Sequence, residues 1–310
     1  MQNVNINANT NVVVKNKIKT SKATIAFNIL GYSFVSLIAI LSVLPFIMLI
    51  SGSFTSEKAI SNFGYSILPR EFSTSAYELL FKYPQDIIRA YGVSIFITLT
   101  GTALGLFFTT MTAYVINRKE FKYRNKISFF FYFTTLFNGG LVSTYIFVIR
   151  YLHLKNSYLS LILPVMLNVF YLLVMRSFMS SIPESIIESA RIDGAGEFTI
   201  FIKLILPLSK AGLATIGLFI ALDYWNDWYN AMLYMTDNAK YPLQYLLYNM
   251  LSSTEAMSRV ASASGVSMGS MPSQSLKLAM AIVATGPIIL VYPFVQKYFV
   301  KGITVGSVKG

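Results

Sequence analysis

Cysteine is missing from this chain of 310 residues, and histidine occurs once, as His153. The missing thiol excludes disulfides, thiolate catalysis and cysteine-ligated metal sites. A single histidine at a predicted external turn argues against histidine-based metal binding or catalysis. Charge is also scarce, because only 12% of the residues are Asp, Glu, Lys or Arg, against about 25% in soluble domains. This deficit favours a chain whose solvent is largely lipid.

Long stretches without a charged residue predict membrane-spanning helices. A candidate span needs about 18 apolar residues, and five windows without Asp, Glu, Lys, Arg or His reach or exceed that length. They are residues 23–56, 90–117, 127–149, 156–175 and 278–296. A sixth candidate, about 208–235, is uncharged over 211–222 and then carries Asp223 and Asp227. We therefore predict an all-α polytopic membrane protein with six transmembrane helices.

The net charge of +12 lies mainly on one side of the membrane in this topology. With the N-terminus inside, the inner segments hold sixteen Lys and Arg and the outer segments eight. An excess of these residues on the cytoplasmic side is the orientation signal of helical membrane proteins, so both termini are predicted to be cytoplasmic. A nucleic-acid patch is unnecessary to explain the charge. The expected organisation is a cytoplasmic tail (1–22), a six-span domain (23–300) containing a cytoplasmic loop (181–209), and a second cytoplasmic tail (301–310).

Glycine marks two places within the predicted spans. In the second span, Gly101 and Gly105 have the spacing that lets helices approach closely in lipid, either within this subunit or against another. In the third span, the Asn-Gly-Gly run at 138–140 weakens the helix. Such breaks are tolerated at membrane depth where protein or water lines them, which makes this span a candidate pathway helix. The Ser-rich external connection at about 237–274 is expected to bind a partner or to form a disordered strap.

The polar segment between the fourth and fifth spans is longer than a simple turn requires. Ser185 precedes Glu188 by three residues, which is the capping-box spacing. Pro183 suits the first turn of a helix, and Gly194 suits the residue just past its end. A helix is therefore predicted over residues 185–193.

A second helical stretch is predicted over residues 198–206. Apolar residues recur there at i, i+3, i+4 and i+7, the register of an amphipathic helix; they are Phe198, Phe201, Ile202 and Ile205. Pro207 then bends the chain into the fifth span. The residues alone leave two readings open, a docking surface for a cytoplasmic partner or an amphipathic helix among lipid headgroups.

Five residues of this segment form a longer pattern: Glu188, Ala190, Gly194, Leu206 and Pro207. The pattern resembles the cytoplasmic EAA loop of the permease subunits of binding-protein-dependent ABC importers, E-A-A-x-x-x-G followed by nine residues and I-x-L-P. Ser189 stands where the family prefers Ala, and Leu204 where it prefers Ile. Further stretches, at 193–195, 206–209, 225–228, 292–302 and 306–310, resemble the carbohydrate-uptake branch, which includes the maltose-type permease subunits.

The resemblance implies a function and a set of partners. In such importers the loop docks on a separate cytoplasmic ATPase; the coupling residues are then Glu188, Ser189, Ala190, Asp193, Gly194, Leu206 and Pro207. The chain itself is implied to be a non-catalytic subunit without a cofactor, with ATP and magnesium on the partner ATPase; it has no G-x-x-x-x-G-K-[ST] loop. The implied partners are a second homologous permease subunit (a heterodimer), ABC ATPase subunits, an extracytoplasmic solute-binding protein, an oligosaccharide and the lipid bilayer of the bacterial cytoplasmic (inner) membrane.

Roles within the loop follow from the same resemblance: Glu188 is the charged anchor, Ala190 makes the close contact and Gly194 forms the turn. Two other classes of function fit the sequence less well. A secondary, ion-coupled transporter requires coupling acids at mid-membrane, whereas the acids in the spans lie near one end. A membrane-embedded enzyme requires a paired catalytic constellation, and nothing in the sequence resembles one.

Polar and aromatic residues cluster in the fifth span. Asp223, Asn226, Asp227 and Asn230 recur at i, i+3, i+4 and i+7 and are expected to share one helix face, beside an aromatic face with Trp225, Trp228, Tyr229 and Met232. Charged residues in a span usually mark a pathway, but Trp and Tyr also gather at the membrane interface without any ligand. Two readings stay open: a substrate pathway made by Asp223, Trp225, Asn226, Asp227 and Trp228, or an aromatic belt. Tyr145, Asn168 and Tyr171 are assigned no role.

Overall fold

The computed structural model describes residues 21–263 and 272–307, and helix dominates them. The described residues contain no strand apart from an isolated bridge between Thr55 and Phe72. Their α-helices are α1 (Lys22–Ser53), α2 (Glu57–Phe63), α3 (Ser75–Leu80), α4 (Pro84–Asn117), α5 (Arg124–Leu136), α6 (Gly140–Ile146), α7 (Leu159–Ile162), α8 (Val169–Ser180), α9 (Glu184–Ile192), α10 (Glu197–Ile200), α11 (Leu206–Leu208), α12 (Lys210–Asn226), α13 (Tyr229–Tyr234), α14 (Leu243–Ala263) and α15 (Gln274–Ser307). The predicted all-α class is confirmed.

Three of these helices are long and apolar enough to cross a membrane: α1, α4 and the part of α15 at Gln274–Pro293. Two further candidates are helix pairs that bend at a short break, α5 with α6 and α10–α11 with α12. By length and composition the described part of the chain therefore holds three to five candidate spans. The apolar helix in the predicted fourth span is too short for this test, because the chain leaves helical geometry between Ile162 and Val169.

The chain divides into two units, residues 1–48 and residues 49–310. The described part of the first unit is the apolar helix α1 as far as Met48, and its side chains there are mostly exposed. Residues 1–20 of the predicted N-terminal tail and residues 308–310 of the C-terminal tail lie outside the described residues. Residues 301–307 of the latter tail continue α15, so that helix extends past the predicted end of the last span.

The core of the second unit is the packing of α4 against α12 and α8. Small residues allow the close approach: a Cβ on Gly101 would lie 2.5 Å from the ring of Tyr224, and one on Gly105 would lie 2.9 Å from the carbonyl oxygen of Met166. Tyr224 is buried and donates a hydrogen bond of 2.8 Å to the carbonyl of Ile162. Of the two expected uses of the Gly101 and Gly105 pair, the structure shows close packing within the subunit.

The predicted break in the third span is confirmed. α5 and α6 meet at 114°, and Gly140 has a φ of +83°, a conformation that favours glycine. The Asn138 side chain accepts a hydrogen bond of 2.8 Å from the Gly140 amide, which closes the turn. None of the residues in α5 is fully buried within the chain. Ile127 and Phe131 pack half-buried against the core, and the rest of the helix surface is open to lipid, to a passage or to another subunit.

Of the two expectations for the connection at 237–274, a disordered strap is wrong over residues 243–263, which are helical, and binding of a partner stays a prediction. A short 3₁₀ turn (Asn238–Lys240) leads to the 21-residue helix α14. Leu243, Leu247 and Thr254 lie along one face of α14 and are buried, at the i, i+4 and i+11 positions of a single helical stripe. The serines that suggested a loop lie mostly on the exposed faces of α14. Residues 264–271 of the predicted connection lie outside the described residues.

Candidate functional site

The predicted helix of the inner segment is α9, at Glu184–Ile192. Its end is a Schellman motif. The Gly194 amide donates a hydrogen bond of 2.9 Å to the carbonyl of Arg191, and the Ala195 amide donates one of 3.0 Å to the carbonyl of Ala190. Gly194 has a φ of +80°, as its predicted place just past the helix requires. The predicted capping box is wrong, because the helix begins one residue earlier. The N-cap is Pro183, and Ser185 lies inside the first turn.

One side of α9 is anchored and the other is exposed. Ile187 is buried in the main core, and Ala190 packs against it half-buried. Glu188, Ser189 and Asp193 are exposed. Two large apolar side chains join them at the surface, Ile192 at 86% exposure and Phe198 at 65%. We call this exposed set, which comprises Glu188, Ser189, Ile192, Asp193 and Phe198, the hairpin surface.

The second predicted helical stretch exists, but a π-helical turn (Phe201–Ile205) interrupts it. Of the predicted apolar face, Phe201 and Ile205 are buried, whereas Phe198 and Ile202 are exposed. A π turn bonds residues five apart instead of four, so the buried face moves to another register and takes in Ile200 as well. The chain then bends by 84° into α12, at a turn that contains half-buried Leu206 and exposed Pro207.

Ion pairs that the sequence did not predict hold both ends of α9. At its start, the Lys119 ammonium donates 2.6 Å to the Glu184 carboxylate. Near its end, the Arg191 guanidinium donates 2.8 Å to Glu120 and also bonds Glu197. The basic stretch at 117–126 was the available signal, but its pairing partners lie far away in sequence. Lys119 and Glu120 follow directly after the inner end of α4.

The pKa values in this cluster respond to the pairs. Hydrogen bonds to Glu197 and Glu120 raise the pKa of Arg191. The pKa of Glu120 is lowered, chiefly because its carboxylate accepts a hydrogen bond from its own backbone amide. Partial burial opposes this shift, and the hydrogen bond from Arg191 adds to it. Burial alone would raise the pKa of Glu197, but hydrogen bonds from Tyr114 and Arg191 outweigh it and leave that pKa lowered. Both carboxylates are therefore ionised at neutral pH.

A polar cavity of about 450 Å³ lies at the other end of α12. It brings together Asp223, Asn226 and Asp227, and its remaining lining is Pro164, Val165, Leu167, Asn168, Leu222 and Asn230. The Tyr171 hydroxyl donates 2.8 Å to the Asp223 carboxylate, and the Asn230 side-chain amide donates 2.8 Å to Asp227. Asn168 and Tyr171, which received no role from the sequence, thus belong to this neighbourhood.

The single helix face predicted for these residues is wrong. α12 ends at Asn226, and Asp227 has extended backbone angles of φ −77° and ψ 91°. The Asp227 carboxylate accepts a hydrogen bond of 3.0 Å from the Asn230 amide, which caps the next helix, α13. The cavity is therefore built across a break, because Asp227 satisfies free amides at a helix start rather than continuing α12.

The two tryptophans have different surroundings. Trp225 is buried, and its indole N–H donates 3.0 Å to the carbonyl of Ala284 in α15. It does not line the polar cavity but an apolar one between α4, α12 and α15. Its predicted part in a substrate pathway stays a prediction. Trp228 is 37% exposed and stacks on Tyr248 of α14 with ring centroids 4.3 Å apart.

Comparisons with known proteins decide the family. No protein-family model matches the chain. The chain is 41% identical over 285 residues to the polygalacturonan/rhamnogalacturonan transport system permease protein YtcP of Bacillus subtilis (strain 168), covering 92% of this chain and 98% of YtcP. It is 40% identical over 292 residues to protein LplC of the same organism, covering 94% of this chain and 97% of LplC.

The chain belongs to the carbohydrate ABC transport system permeases. This permease also resembles a chain in the crystal structure of a bacterial ABC transporter involved in the import of the acidic polysaccharide alginate. The TM-score is 0.72 at 29% identity, covering 90% of this chain and 99% of that one. The function predicted from the inner segment, a permease subunit of a sugar ABC import system, is confirmed.

Membership of the family has consequences for the alternatives. Nothing in the comparisons supports an ion-coupled carrier. Permeases of this family are integral membrane proteins of multi-component importers, which implies ATPase and binding-protein partners. The relatives of this chain are transport permease subunits, which are not catalytic. Among residues 21–263 and 272–307 of this permease, no group of three or more His, Asp or Glu could hold a metal ion.

Proposed function

We propose that this permease forms one half of an oligosaccharide passage and is driven by a separate ATPase that docks on the 181–209 loop. The observation that carries the proposal is the hairpin surface. It is charged and apolar at once, while its opposite side is anchored in the core by Ile187. Two large exposed apolar side chains, Ile192 and Phe198, beside exposed carboxylates suit contact with a protein partner. A helix as short as α9 also keeps its shape only when it is packed against something.

Each coupling residue has a proposed part. Glu188 and Asp193 offer charge to the ATPase, Ser189 and Ala190 allow a close approach, and Gly194 ends the helix so that the chain can turn back. Leu206 and Pro207 carry the motion into α12 through the 84° bend. The permease binds no cofactor; ATP and magnesium belong to the ATPase, which performs the hydrolysis.

The assembly that we propose lies in the bacterial cytoplasmic (inner) membrane. This chain pairs with a second, homologous permease as a heterodimer, two ATPase subunits dock on the cytoplasmic side, and an extracytoplasmic solute-binding protein delivers the sugar. The permease crosses the membrane six times: α1, α4, the bent pair α5–α6, the segment through α7 and α8, α12 and α15. Both termini are then cytoplasmic.

The polar cavity is the proposed point of contact with substrate, through Asp223, Asn226 and Asp227, with Trp228 exposed nearby. Aromatic faces beside carboxylate and amide groups suit sugars, whose apolar ring faces stack while their hydroxyls form hydrogen bonds. YtcP transports polygalacturonan or rhamnogalacturonan by its name, and the solved relative imports alginate. Oligosaccharides that contain uronic acid units are therefore the first substrate class to test.

Reconstitution of the complete importer in liposomes tests the function. We expect uptake of a labelled galacturonate oligosaccharide, or of a neutral oligosaccharide, to require ATP on the side of the membrane that carries the ATPase subunits. Vanadate should stop this uptake. Uptake that continues without ATP and follows an ion gradient would contradict the proposal.

The proposed topology is open to thiol labelling because the chain contains no cysteine. Ser189 in α9 and Ser252 in α14 are both exposed. We expect a membrane-impermeant maleimide to label Ser252→Cys in intact cells and Ser189→Cys only after permeabilisation. Labelling of Ser189→Cys from outside would place the hairpin surface on the wrong side for an ATPase.

A further inference from the structure

The hairpin surface has two physical connections to the membrane helices. The first is the chain itself, which runs from α9 through Leu206 and Pro207 into α12. The second is made of side chains and leads to α4, where the Tyr114 hydroxyl donates a hydrogen bond to the carboxylate of Glu197, the first residue of α10 and 83 positions away in sequence. This second connection gives the ATPase a direct route to α4.

Arg191 is the centre of this second connection. Its guanidinium donates to Glu120 at 2.8 Å and to Glu197 at 2.8 Å through Nε. The Tyr114 hydroxyl in the last turns of α4 donates to the same Glu197 carboxylate at 2.6 Å. Arg118, which follows α4 directly, pairs with Glu120 at 3.1 Å. One planar side chain on α9 thus joins two carboxylates that are each held by a residue of α4 or its end.

The start of α9 is tied to the same segment. Lys119 pairs with Glu184, the first residue of α9, while Arg191 lies in its last turn. Exposed ion pairs taken singly contribute little to stability, but two attachments at opposite ends fix the direction of a helix as well as its position. The fork of a guanidinium binds two carboxylates at once, which a lysine ammonium does not reproduce.

The α4 helix in turn packs closely against α12. The ring of Tyr224 fills the space beside Gly101, and Ile220 lies against Gly105. Gly217 of α12 likewise faces Leu106. Because interfaces this tight do not slide without repacking, a displacement of the inner end of α4 is passed to α12 along their length.

We propose that Arg191 is a positioning residue that clamps the hairpin surface to the inner end of α4, so that the ATPase moves α4 and α12 as one body. The clamp rests on the proposed ATPase coupling of the 181–209 loop. Without this clamp, the hairpin would be connected to α12 through the Pro207 bend alone. Some ATPase cycles would then complete without displacing α4 and α12.

The test compares Arg191→Gln with Arg259→Gln in the complete reconstituted importer. Arg259 lies on α14 and pairs with Glu255 at 3.7 Å, far in sequence from the hairpin and outside its contacts. The measurement is the number of ATP molecules hydrolysed per labelled galacturonate oligosaccharide imported. We expect Arg191→Gln to raise this ratio at least threefold, with normal assembly and unstimulated ATPase activity. Arg259→Gln should leave the ratio unchanged. Arg191→Lys should raise the ratio less than Arg191→Gln does, because the lysine keeps the charge.

A cross-link separates a clamp from a merely stabilising contact. The chain has no cysteine, so Glu120→Cys with Arg191→Cys introduces its two thiols. We expect this double variant to be uncoupled, and a short bifunctional thiol reagent to return the ratio towards the wild-type value. A cross-linked complex that hydrolyses ATP but no longer imports would overturn the proposal, since the contact would then have to open in each cycle.

The outcomes also separate this proposal from the function on which it rests. A wild-type complex that imports neither the galacturonate probe nor a neutral oligosaccharide overturns the proposed function, and the clamp with it. A wild-type complex that imports normally, beside an Arg191→Gln complex with the same ratio, overturns the clamp alone.

Discussion

At the scale of single residues, Gly194 has the most constrained backbone in the hairpin. Its φ of +80° lies in the left-handed region, where a side chain costs about 1–2 kcal/mol. A Cβ there would meet nothing within 4 Å, so any effect of substitution comes from the backbone and not from a clash. Gly196, two residues later, has equally free space but a φ of −71° at the N-cap of α10.

This contrast gives a matched pair of variants. We expect Gly194→Ser to open the Schellman motif and to raise amide exchange over residues 188–195 by roughly 5–30-fold, the equivalent of about 1–2 kcal/mol. Coupled uptake should fall with it. Gly196→Ser should be neutral or slightly favourable, because serine is preferred at an N-cap. Hydrogen-exchange mass spectrometry measures both, and equal exchange in the two variants would contradict the assignment.

At the scale of helices, the close contact of α4 with α12 depends on the missing side chain of Gly101. We expect Gly101→Ala to lower the free energy of unfolding by about 1–3 kcal/mol, the usual effect of overpacking, because its Cβ would lie 2.5 Å from the Tyr224 ring. Thermal unfolding of the purified permease in detergent measures the change.

Gly92 provides the control on the same helix. A Cβ at Gly92 would meet nothing within 4 Å, so Gly92→Ala should not destabilise the permease. It should instead gain about 0.5–1 kcal/mol, because alanine loses less backbone entropy than glycine in a helix. Similar losses in both variants would show that glycine matters for reasons other than the contact with Tyr224.

The attachment of α9 to the inner end of α4 should depend on pH. The pKa values of Glu120 and Glu197 are lowered from an ordinary value of 4.5. A carboxylate with a lowered pKa contributes stability that is present above the ordinary value and is lost as the pH falls through the lowered one. We expect amide exchange in 184–197, corrected for intrinsic rates, to rise as the pH falls below about 4.5. Glu197→Gln should weaken that dependence, and a pH profile unchanged by this substitution would contradict the network.

Sequence reasoning predicted some helices well and others poorly, for local reasons. Gly194 and the run at 138–140 were correctly predicted because their backbone requirements are local. The break after Asn226 was missed because Asp227 falls at a position that continues the helical spacing of Asp223 and Asn226 in sequence. In the structure the Asp227 carboxylate instead caps the start of the next helix. α14 was missed because its buried stripe interleaves with serine. The pair of Arg191 with Glu120 joins residues 71 positions apart, and a single sequence contains no record of such a contact.

At the scale of the whole molecule, the polar cavity poses an electrostatic question. Its lining, among the residues that the structure describes, includes two carboxylates, Asp223 and Asp227, and no lysine or arginine. Tyr171 and Asn230 donate hydrogen bonds to them without neutralising their charge. A uronate substrate would be repelled here, unless the second permease supplies cations on the facing side of the passage.

Removing one of these charges therefore reports on the charge of the substrate. Like charges about 4 Å apart repel by about 1 kcal/mol in water and about 4 kcal/mol near a protein surface, so we expect Asp223→Asn to lower the KM for a galacturonate oligosaccharide roughly fivefold or more. The KM for a neutral oligosaccharide should stay the same or rise, since asparagine still accepts from Tyr171. Asp237→Asn is the control, because Asp237 caps the Asn238–Lys240 turn outside the cavity, through a hydrogen bond of 2.9 Å from Ala239. Equal effects of the two substitutions on uptake of the acidic probe would show that the cavity does not face the substrate.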